Sequence, residues 1–443
     1  MEYGRAYTVE DLRVGLEDED NEITYRKNGN RPVDGDVFLR KIESIAPRVG
    51  IKRVADISFL TFNNYSVFQA VRPNVYSHWQ SGQNTGAQGK GPTPTQAKIS
   101  ALMECIEGAC AEPKNETLIR GSYESLRHQN FLLPPSAFVS IVKKDEDSKF
   151  KQSDFAVNCN DRLMWTKALH VESGREVLIP AETVFFPFFP TSFNTVPRFP
   201  TSSNGLASGA TYLDAVIHAI YELIERHYIY LYEDLNSDIE IEAIYEEEYF
   251  RIDDIRERLD NKFELQLIAF KRPHCSNPAF IRCSLVDEDG NSFDGWGCCF
   301  NVEMAIERAI SEALQSLATV YSGAREDIDE KCYNRDEDNP HAEEMDYLSR
   351  FPEFRSLRIE DYKKQVINKD YKSLTEEYHD QINWLKENGH PDICIANLTR
   401  VGIDIPVVKV VVANMICKKS LLNSYSISSF SDMLSYSYSF NHE

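Results

Sequence analysis

Three stretches of the 443-residue sequence place a carboxylate one helical turn from a second carboxylate or an amide: Glu104 and Glu107, Glu222 and Glu225, Glu312 and Gln315. Each follows a glycine-containing segment. Oxygen ligands of this kind suit magnesium, a hard cation bound through a few carboxylates together with nucleotide phosphates and water. Five carboxylates with few lysines beside them would repel a triphosphate, so a nucleotide reading requires bridging metal. Lys90, Arg226 and Arg308 would then stabilise the charge that develops on a moving phosphoryl group.

The first stretch reads GKGPTPTQAKISALMECIEGACAE from Gly89. Thr93 is placed to cap a helix, Pro94 suits its first position and Gln96 has capping-box spacing, which predicts a helix over 94–111. Projected at about 100° per residue, Ile99, Leu102, Met103, Cys105, Ile106 and Ala109 cover more than half the circumference. The remaining stripe holds Ser100, Glu104, Glu107 and Gly108. Two like charges one turn apart on a mostly enclosed helix repel each other and lose hydration unless cations or donors offset both. A metal-binding stripe explains this pattern.

The second stretch reads SNGLASGATYLDAVIHAIYELIERHYIY from Ser203, with Thr211 and Asp214 at capping spacing and a helix expected over 211–230. Its apolar face leaves Glu222, Glu225 and Arg226 off to one side, and taken alone this is an ordinary amphipathic helix with a solvated side. The parallel with the first helix favours a site wall: Gly91 precedes Glu104 by 13 positions, and Gly209 precedes Glu222 by 13. In the third stretch, with a helix expected over 302–321, Ala305, Ile306, Ala309, Ile310, Ala313 and Leu317 form the packing face. Arg308, Glu312 and Gln315 share another stripe, readable either as a surface ion pair or as phosphate donor, metal carboxylate and orienting amide. Glycines before the first two helices would let backbone N–H groups approach phosphate oxygens. Gly89-Lys90-Gly91 is nevertheless not the phosphate-loop pattern GxxxxGK[ST].

These helices are expected to be positioned by strands at 53–59, 67–71, 155–157, 164–171, 176–179, 264–269, 280–286 and 406–412, each an apolar run bounded by turn formers. Strands and helices in no strict alternation indicate an α+β (mixed α/β) fold. The expected organisation is a lead-in segment over 1–48 with a helix near 37–45, a catalytic domain over 49–419, and a Ser/Tyr-rich tail over 420–443. The acidic stretches 239–258 and 325–346 read as surface inserts with helical content.

The composition supports a large core, at 42% hydrophobic residues. A net charge of −22 argues against a nucleic-acid partner, because phosphate binding needs clustered Lys and Arg. No run approaches the roughly 20 apolar residues of a membrane span, and the first residues lack a signal-like pattern, so no membrane association and a cytoplasmic location are expected. The ten cysteines contain no C-x-x-C and read as reduced, mostly buried thiols.

Three blocks resemble the YcaO family: GKGPTPTQAKISALMECIE, NGLASGATYLDAVIHAIYELIER and AIERAISEALQSLATVYSGARED. They parallel that family's GKG…SAxxExxE, NGLAxGNTxxEAxxHAxxExIER and ALxRAxxEAxQSR patterns, and the resemblance extends from Ile51 to Val412. The resemblance implies mixed and antiparallel sheets with long helices around an ATP site. It implies magnesium on Glu104, Glu107, Glu222, Glu225 and Glu312, and Asp214 facing the ribose. Lys90, Ser100, Arg226, Arg308 and Gln315 would complete the nucleotide site, with Lys27 reaching the phosphates from the N-terminal segment. The sequence departs from the family at Ala210, where Asn is usual, and at Gly108 and Leu317, where Arg is usual.

The implied reaction is attack on a peptide-bond carbonyl, phosphorylation of the resulting oxyanion by ATP, and loss of phosphate. No side chain is singled out as its acid, base or nucleophile. IKRVADISFLTFNNYSVFQAVRPN and GIDIPVVKVVVANM further resemble the branch associated with a TfuA protein and thioamide formation. The ending SYSFNHE, in place of the Pro-rich tail common in azoline-forming members, points the same way. The expected partners are a peptide or protein substrate and a TfuA-like or other leader-binding protein, with a homodimer left open. The rival readings are an azoline-forming cyclodehydratase and an inactive ATP-binding scaffold.

Overall fold

The computed structural model describes residues 7–17, 22–23, 31–62, 65–73, 86–113, 118–138, 157–186, 188, 199, 201–233, 240–244, 259, 262–288, 290–323 and 356–417. The helices, in chain order, are α1 (Val9–Leu16), α2 (Gly35–Ile45), α3 (Pro94–Ala111), α4 (Tyr123–Leu126), α5 (Tyr212–Glu233), α6 (Val302–Ser322), α7 (Ile359–Tyr362) and α8 (Leu374–Glu387). The strands are β1 (Arg53–Asp56), β2 (Ser66–Val71), β3 (Gly86–Gly91), β4 (Ile119–Gly121), β5 (Leu163–His170), β6 (Arg175–Pro180) and β7 (Leu206–Ser208). They continue as β8 (Glu240–Ile244), β9 (Phe263–Lys271), β10 (Ala279–Asp287), β11 (Ser292–Cys299), β12 (Ser356–Leu357), β13 (Ile393–Asn397) and β14 (Val407–Val412). The chain weaves between two compact units, one comprising Met1–Asn21, Glu107–Asp234 and Ser373–Glu443, the other Glu22–Ile106 and Leu235–Lys372.

In the first unit, strands run in the order β4-β5-β13-β14-β7, with β6 added beside β5, and every pairing is antiparallel. Trp165 and Phe199 are fully buried with Leu132, Leu163 and Leu178, and the Trp165 indole donates to the Gly121 carbonyl at 2.9 Å. Helix α5 packs on β14 and β7, and α8 packs on α5. Two buried polar contacts fix the register of that helix pair. The Tyr221 hydroxyl donates to Glu377 at 2.8 Å and the Gln381 amide to the Ile217 carbonyl at 3.1 Å.

The second unit contains an antiparallel sheet β1-β2-β3 and a five-stranded sheet β11-β10-β9-β8-β12. The latter is antiparallel except where β12 joins β8 in parallel. Its face buries Phe270, Phe280 and Trp296, the last two stacked with centroids 5.1 Å apart. Helix α6 lies on β10 and β11 and also reaches β3. The Asn301 side chain accepts from the Met304 N–H at its start, and Gly323 ends it with φ +58°, the left-handed conformation glycine adopts without strain.

The α+β architecture and the three long helices agree with the sequence reading. Local chemistry accounts for two departures. The strand expected over 53–59 stops at Asp56, because the Asp56 carboxylate accepts from the N–H and hydroxyl of Ser58 and turns the chain into a short 3-10 helix over Ser58–Thr61. Within the acidic stretch at 239–258, expected to have helical content, the described residues Glu240–Ile244 form strand β8; Glu-Ile-Glu-Ala-Ile alternates with a period of two, which suits a pleated strand. Residues 245–258, the second acidic stretch, Phe155 and Ala156 of an expected strand, and the tail lie outside the described residues. Strands β3, β4, β7, β8, β11, β12 and β13 and helices α1, α4, α7 and α8 were not anticipated. Among the described residues, no helix is long and apolar enough to cross a membrane.

Candidate functional site

In the second unit, β3 separates two helices. Its glycines face α3 closely enough that a Cβ on Gly89 would stand 2.0 Å from the Ala101 nitrogen and 2.2 Å from the Ala97 oxygen. Gly91 is similarly crowded, by Gln96 at 2.8 Å. Because side chains alternate along a strand, Gln88 and Lys90 project to the other face, toward α6. There the Lys90 ammonium binds the Glu312 carboxylate at 3.0 Å, and the Gln315 amide donates to the Gln88 carbonyl at 2.6 Å. The Thr319 hydroxyl donates to Gln88 Oε1. The Gln88 N–H in turn donates to Glu104 at 3.1 Å. Gln88 thus ties α3 to α6, and its buried Nε2 has no hydrogen-bond partner among the described residues. Arg308 donates to the Cys298 carbonyl at 3.0 Å, bracing α6 on β11.

The first unit repeats the plan. Gly205, at φ +77°, donates its N–H to Glu222 at 3.2 Å. Ser208 donates both its N–H (2.8 Å) and its hydroxyl (2.6 Å) to Glu107. A Cβ on Gly209 would lie 2.5 Å from the Ala215 nitrogen, so glycine again permits close approach of strand and helix. The Ala210 N–H donates to Asp214 at 2.9 Å, while Asp214's own N–H donates to Thr211. Glu225 is only 8% exposed, with the Arg226 guanidinium 3.4 Å away.

The predicted residues therefore fall into two groups. Lys90, Ser100, Glu104, Arg308, Glu312 and Gln315 belong to the second unit; Glu107, Asp214, Glu222, Glu225 and Arg226 belong to the first. Lys27 lies outside the described residues. The stripe expected on α3 is present, with Glu104 exposed and Ser100, Glu107 and Gly108 half-buried among buried neighbours. The solvated-face alternative for α5 fails at Glu225, which is buried, while Glu222 and Arg226 are half-buried. The phosphate-cradling role expected of the glycine segments is corrected too. Gly89 and Gly91 lie in a paired strand, and the N–H groups of Gln88, Gly205 and Ser208 already hold carboxylates. Leu317 is fully buried in the packing face of α6.

Sequence reasoning missed Gln88, Gly205, Ser208 and Lys409. The signal for the last was legible, a single lysine among valines in VVKVVV. Its ammonium donates to the carbonyls of Ser202 and Asn204, each at 2.6 Å. Burial lowers its pKa to about 8 against the opposing pull of the Glu222 charge. Burial, then Glu222, push the nearby Cys417 thiol up to about 12, keeping it neutral.

Among the described residues, no three His, Cys, Asp or Glu side chains are grouped closely enough to hold a metal ion by themselves. Magnesium keeps water and commonly takes one or two carboxylates alongside nucleotide oxygens, so it does not require three protein ligands in one group. Backbone N–H groups fix the direction of the Glu104, Glu107 and Glu222 carboxylates.

The family model for YcaO cyclodehydratases, described as ATP- and Mg2+-binding, matches residues 88–416, starting at Gln88. An uncharacterized protein of Methanothermobacter thermautotrophicus is 27% identical over 385 residues, covering 83% of this chain and 90% of that protein. An uncharacterized protein encoded in the tfuA 3′ region of Rhizobium leguminosarum bv. trifolii is 28% identical over 297 residues, covering 65% of this chain and 66% of its own length. Among solved structures, YcaO from Methanopyrus kandleri bound with AMPPCP and Mg2+ superposes with a TM-score of 0.68 at 22% identity, over 89% of this chain and 94% of that one. A heterocyclase in complex with substrate and cofactor superposes at 0.67, with 16% identity, over 96% of this chain and 59% of that one. These two likenesses establish the shared fold.

Proposed function

The chain belongs to the YcaO family of ATP- and Mg2+-binding cyclodehydratases, and from that membership we propose that it activates backbone amides of a ribosomally made peptide for conversion to thioamides, with a TfuA-like partner. The observation that carries the proposal is the repeated placement of helical glutamates against backbone donors of a neighbouring strand or turn: Gln88 to Glu104, Ser208 to Glu107 and Gly205 to Glu222. Glu104, Glu107, Glu222, Glu225 and Glu312 would hold magnesium, and Asp214 would take the ribose. Lys90, Ser100, Arg226, Arg308 and Gln315 would line the nucleotide.

ATP supplies the phosphoryl group that converts the carbonyl oxygen into a leaving group. The chain contributes position and charge. Helices held to their strands through glycine backbones leave the glutamates little freedom to reorganise, which suits preset electrostatic stabilisation. In the nucleotide-free protein the cation of Lys90 and the anion of Glu312 neutralise each other at 3.0 Å. We assign Lys90 to phosphate and Glu312 to magnesium, so binding of the complex would exchange one ion pair for two new ones of the same sense.

The relative encoded in a tfuA 3′ region supports sulfide as the nucleophile. The family's description as cyclodehydratases favours the second reading, in which a Cys, Ser or Thr side chain attacks and an azoline forms. Incubating the protein with ATP, Mg2+, a sulfide source, the partner and a candidate peptide separates them by mass spectrometry. Exchange of oxygen for sulfur supports thioamide formation, and loss of one water supports the azoline. Nucleotide binding without phosphate release under every condition would replace both with the scaffold reading.

A further inference from the structure

Strand β14 runs between β13 and β7, and five of its six residues are valine. The sixth, Lys409, is 2% exposed. A buried ammonium is costly unless hydrogen bonds or opposite charge compensate it, and an apolar side chain of similar volume is often as good for stability or better. Core packing alone therefore does not call for a lysine here. What this lysine does is bind the turn before β7, through the carbonyls of Ser202 and Asn204 at 2.6 Å each.

That turn carries the donor to Glu222. Its end is held to β14 by the Val410 N–H, which donates to the Gly205 carbonyl at 2.8 Å. A Cβ on Gly205 would lie 2.5 Å from the Val410 oxygen, so the turn sits flush against the strand. From that position the Gly205 N–H reaches Glu222 at 3.2 Å. The contacts thus run from the Lys409 ammonium to two turn carbonyls, through Gly205, to the carboxylate.

We propose that Lys409 is a positioning residue for magnesium binding, holding the 202–205 turn so that the Gly205 N–H aims the Glu222 carboxylate. The inference rests on the reading of Glu222 as a magnesium ligand. Lys409 itself touches neither metal nor nucleotide in this account. Its contribution is the geometry of one ligand.

The test compares the full-length parent with Lys409→Met, which keeps the apolar stem and removes the ammonium, and with Glu222→Gln. Three quantities are read: melting temperature, amide hydrogen exchange at Gly205, and the Mg2+ concentration giving half-maximal binding of AMPPCP. Lys409→Met is expected to melt no lower than the parent while Gly205 exchanges about tenfold faster or more, the loss expected for charge-assisted hydrogen bonds. Its Mg2+ requirement is expected to rise severalfold, in the same direction as that of Glu222→Gln.

A folded Lys409→Met with parental exchange at Gly205 overturns the proposal. So does faster exchange with a parental Mg2+ requirement, provided Glu222→Gln raises that requirement. If Glu222→Gln leaves it unchanged, the ligand assignment of Glu222 falls, and the metal half of the inference falls with it. Should Lys409→Met fail to fold, the parent decides. A Gly205 amide as protected as those of β14 upholds the clamp, and one exchanging like an unstructured amide overturns it.

Discussion

Replacing Gly89 with alanine should damage stability and activity together, because the added methyl has nowhere to go. It would sit 2.0 Å from the Ala101 nitrogen and 2.2 Å from the Ala97 oxygen, both backbone atoms of α3, where ordinary contact begins at 3.4 Å. Helix and strand must therefore separate by about 1.4 Å. Glu104 lies one turn beyond Ala101, and its bond to the Gln88 N–H is 3.1 Å long. Retreat by that distance breaks the bond. Overpacking of this kind typically costs about 1–3 kcal/mol, and a misplacement near 1 Å at a reacting centre can cost about a hundredfold in rate.

The control is Gly108→Ala on the same helix, where a Cβ meets nothing within 4 Å. Glycine within a helix is about 1 kcal/mol less favourable than alanine, so this variant should be stabilised by up to that amount. Denaturant unfolding measures both stabilities, and phosphate release from Mg2+-ATP with peptide and partner present measures the activity of Gly89→Ala. A Gly89→Ala protein as stable and as active as the parent would refute the claim that glycine sets the strand-to-helix spacing.

Glu104→Ala and Glu222→Ala should each abolish ATP turnover without unfolding the protein; retained turnover in both variants would falsify the assignment of these glutamates to one reaction. Ser208→Ala removes a 2.6 Å hydroxyl bond to Glu107 but leaves the backbone bond, so it should weaken Mg2+-dependent nucleotide binding by about tenfold, as read by calorimetry. The stability of the nucleotide-free protein should carry a signature of Lys409. Its folded pKa, about 8, is below its ordinary 10.5, so in that window the unfolded chain holds a proton the folded chain has released, and stability rises with pH. The full burial penalty applies below the window and vanishes above it, a span of about 3 kcal/mol. The difference in unfolding free energy between parent and Lys409→Met should track this rise, and a pH-independent difference would contradict it.

The three long helices were legible because their information is local. Thr93, Pro94 and Gln96 mark one start, and the Gln96 N–H donates to the Thr93 hydroxyl at 3.3 Å as the spacing demands. Thr211 serves Asp214 in the same way. The polar stripe of α3 followed from a period of 3.6 residues applied to apolar side chains. Equal glycine-to-glutamate intervals likewise mark Glu104 and Glu222 as counterparts in the sequence itself.

Strand β3 was not legible, since GAQGKG has none of the β-branched or aromatic residues that mark strands; pairing with β2 and packing against α3 make it one. Nor did the sequence indicate that its glycines admit a helix, because that depends on Ala97 and Ala101 arriving overhead. The burial of Glu225 and the two carbonyls served by Lys409 likewise involve residues brought together by the fold, in the latter case across more than 200 positions. Residue types and helical periods, which act within a few turns, were determined by the sequence alone. Which donor meets which carboxylate was decided by the tertiary structure, because a hydrogen bond depends on distance in space and is blind to distance along the chain.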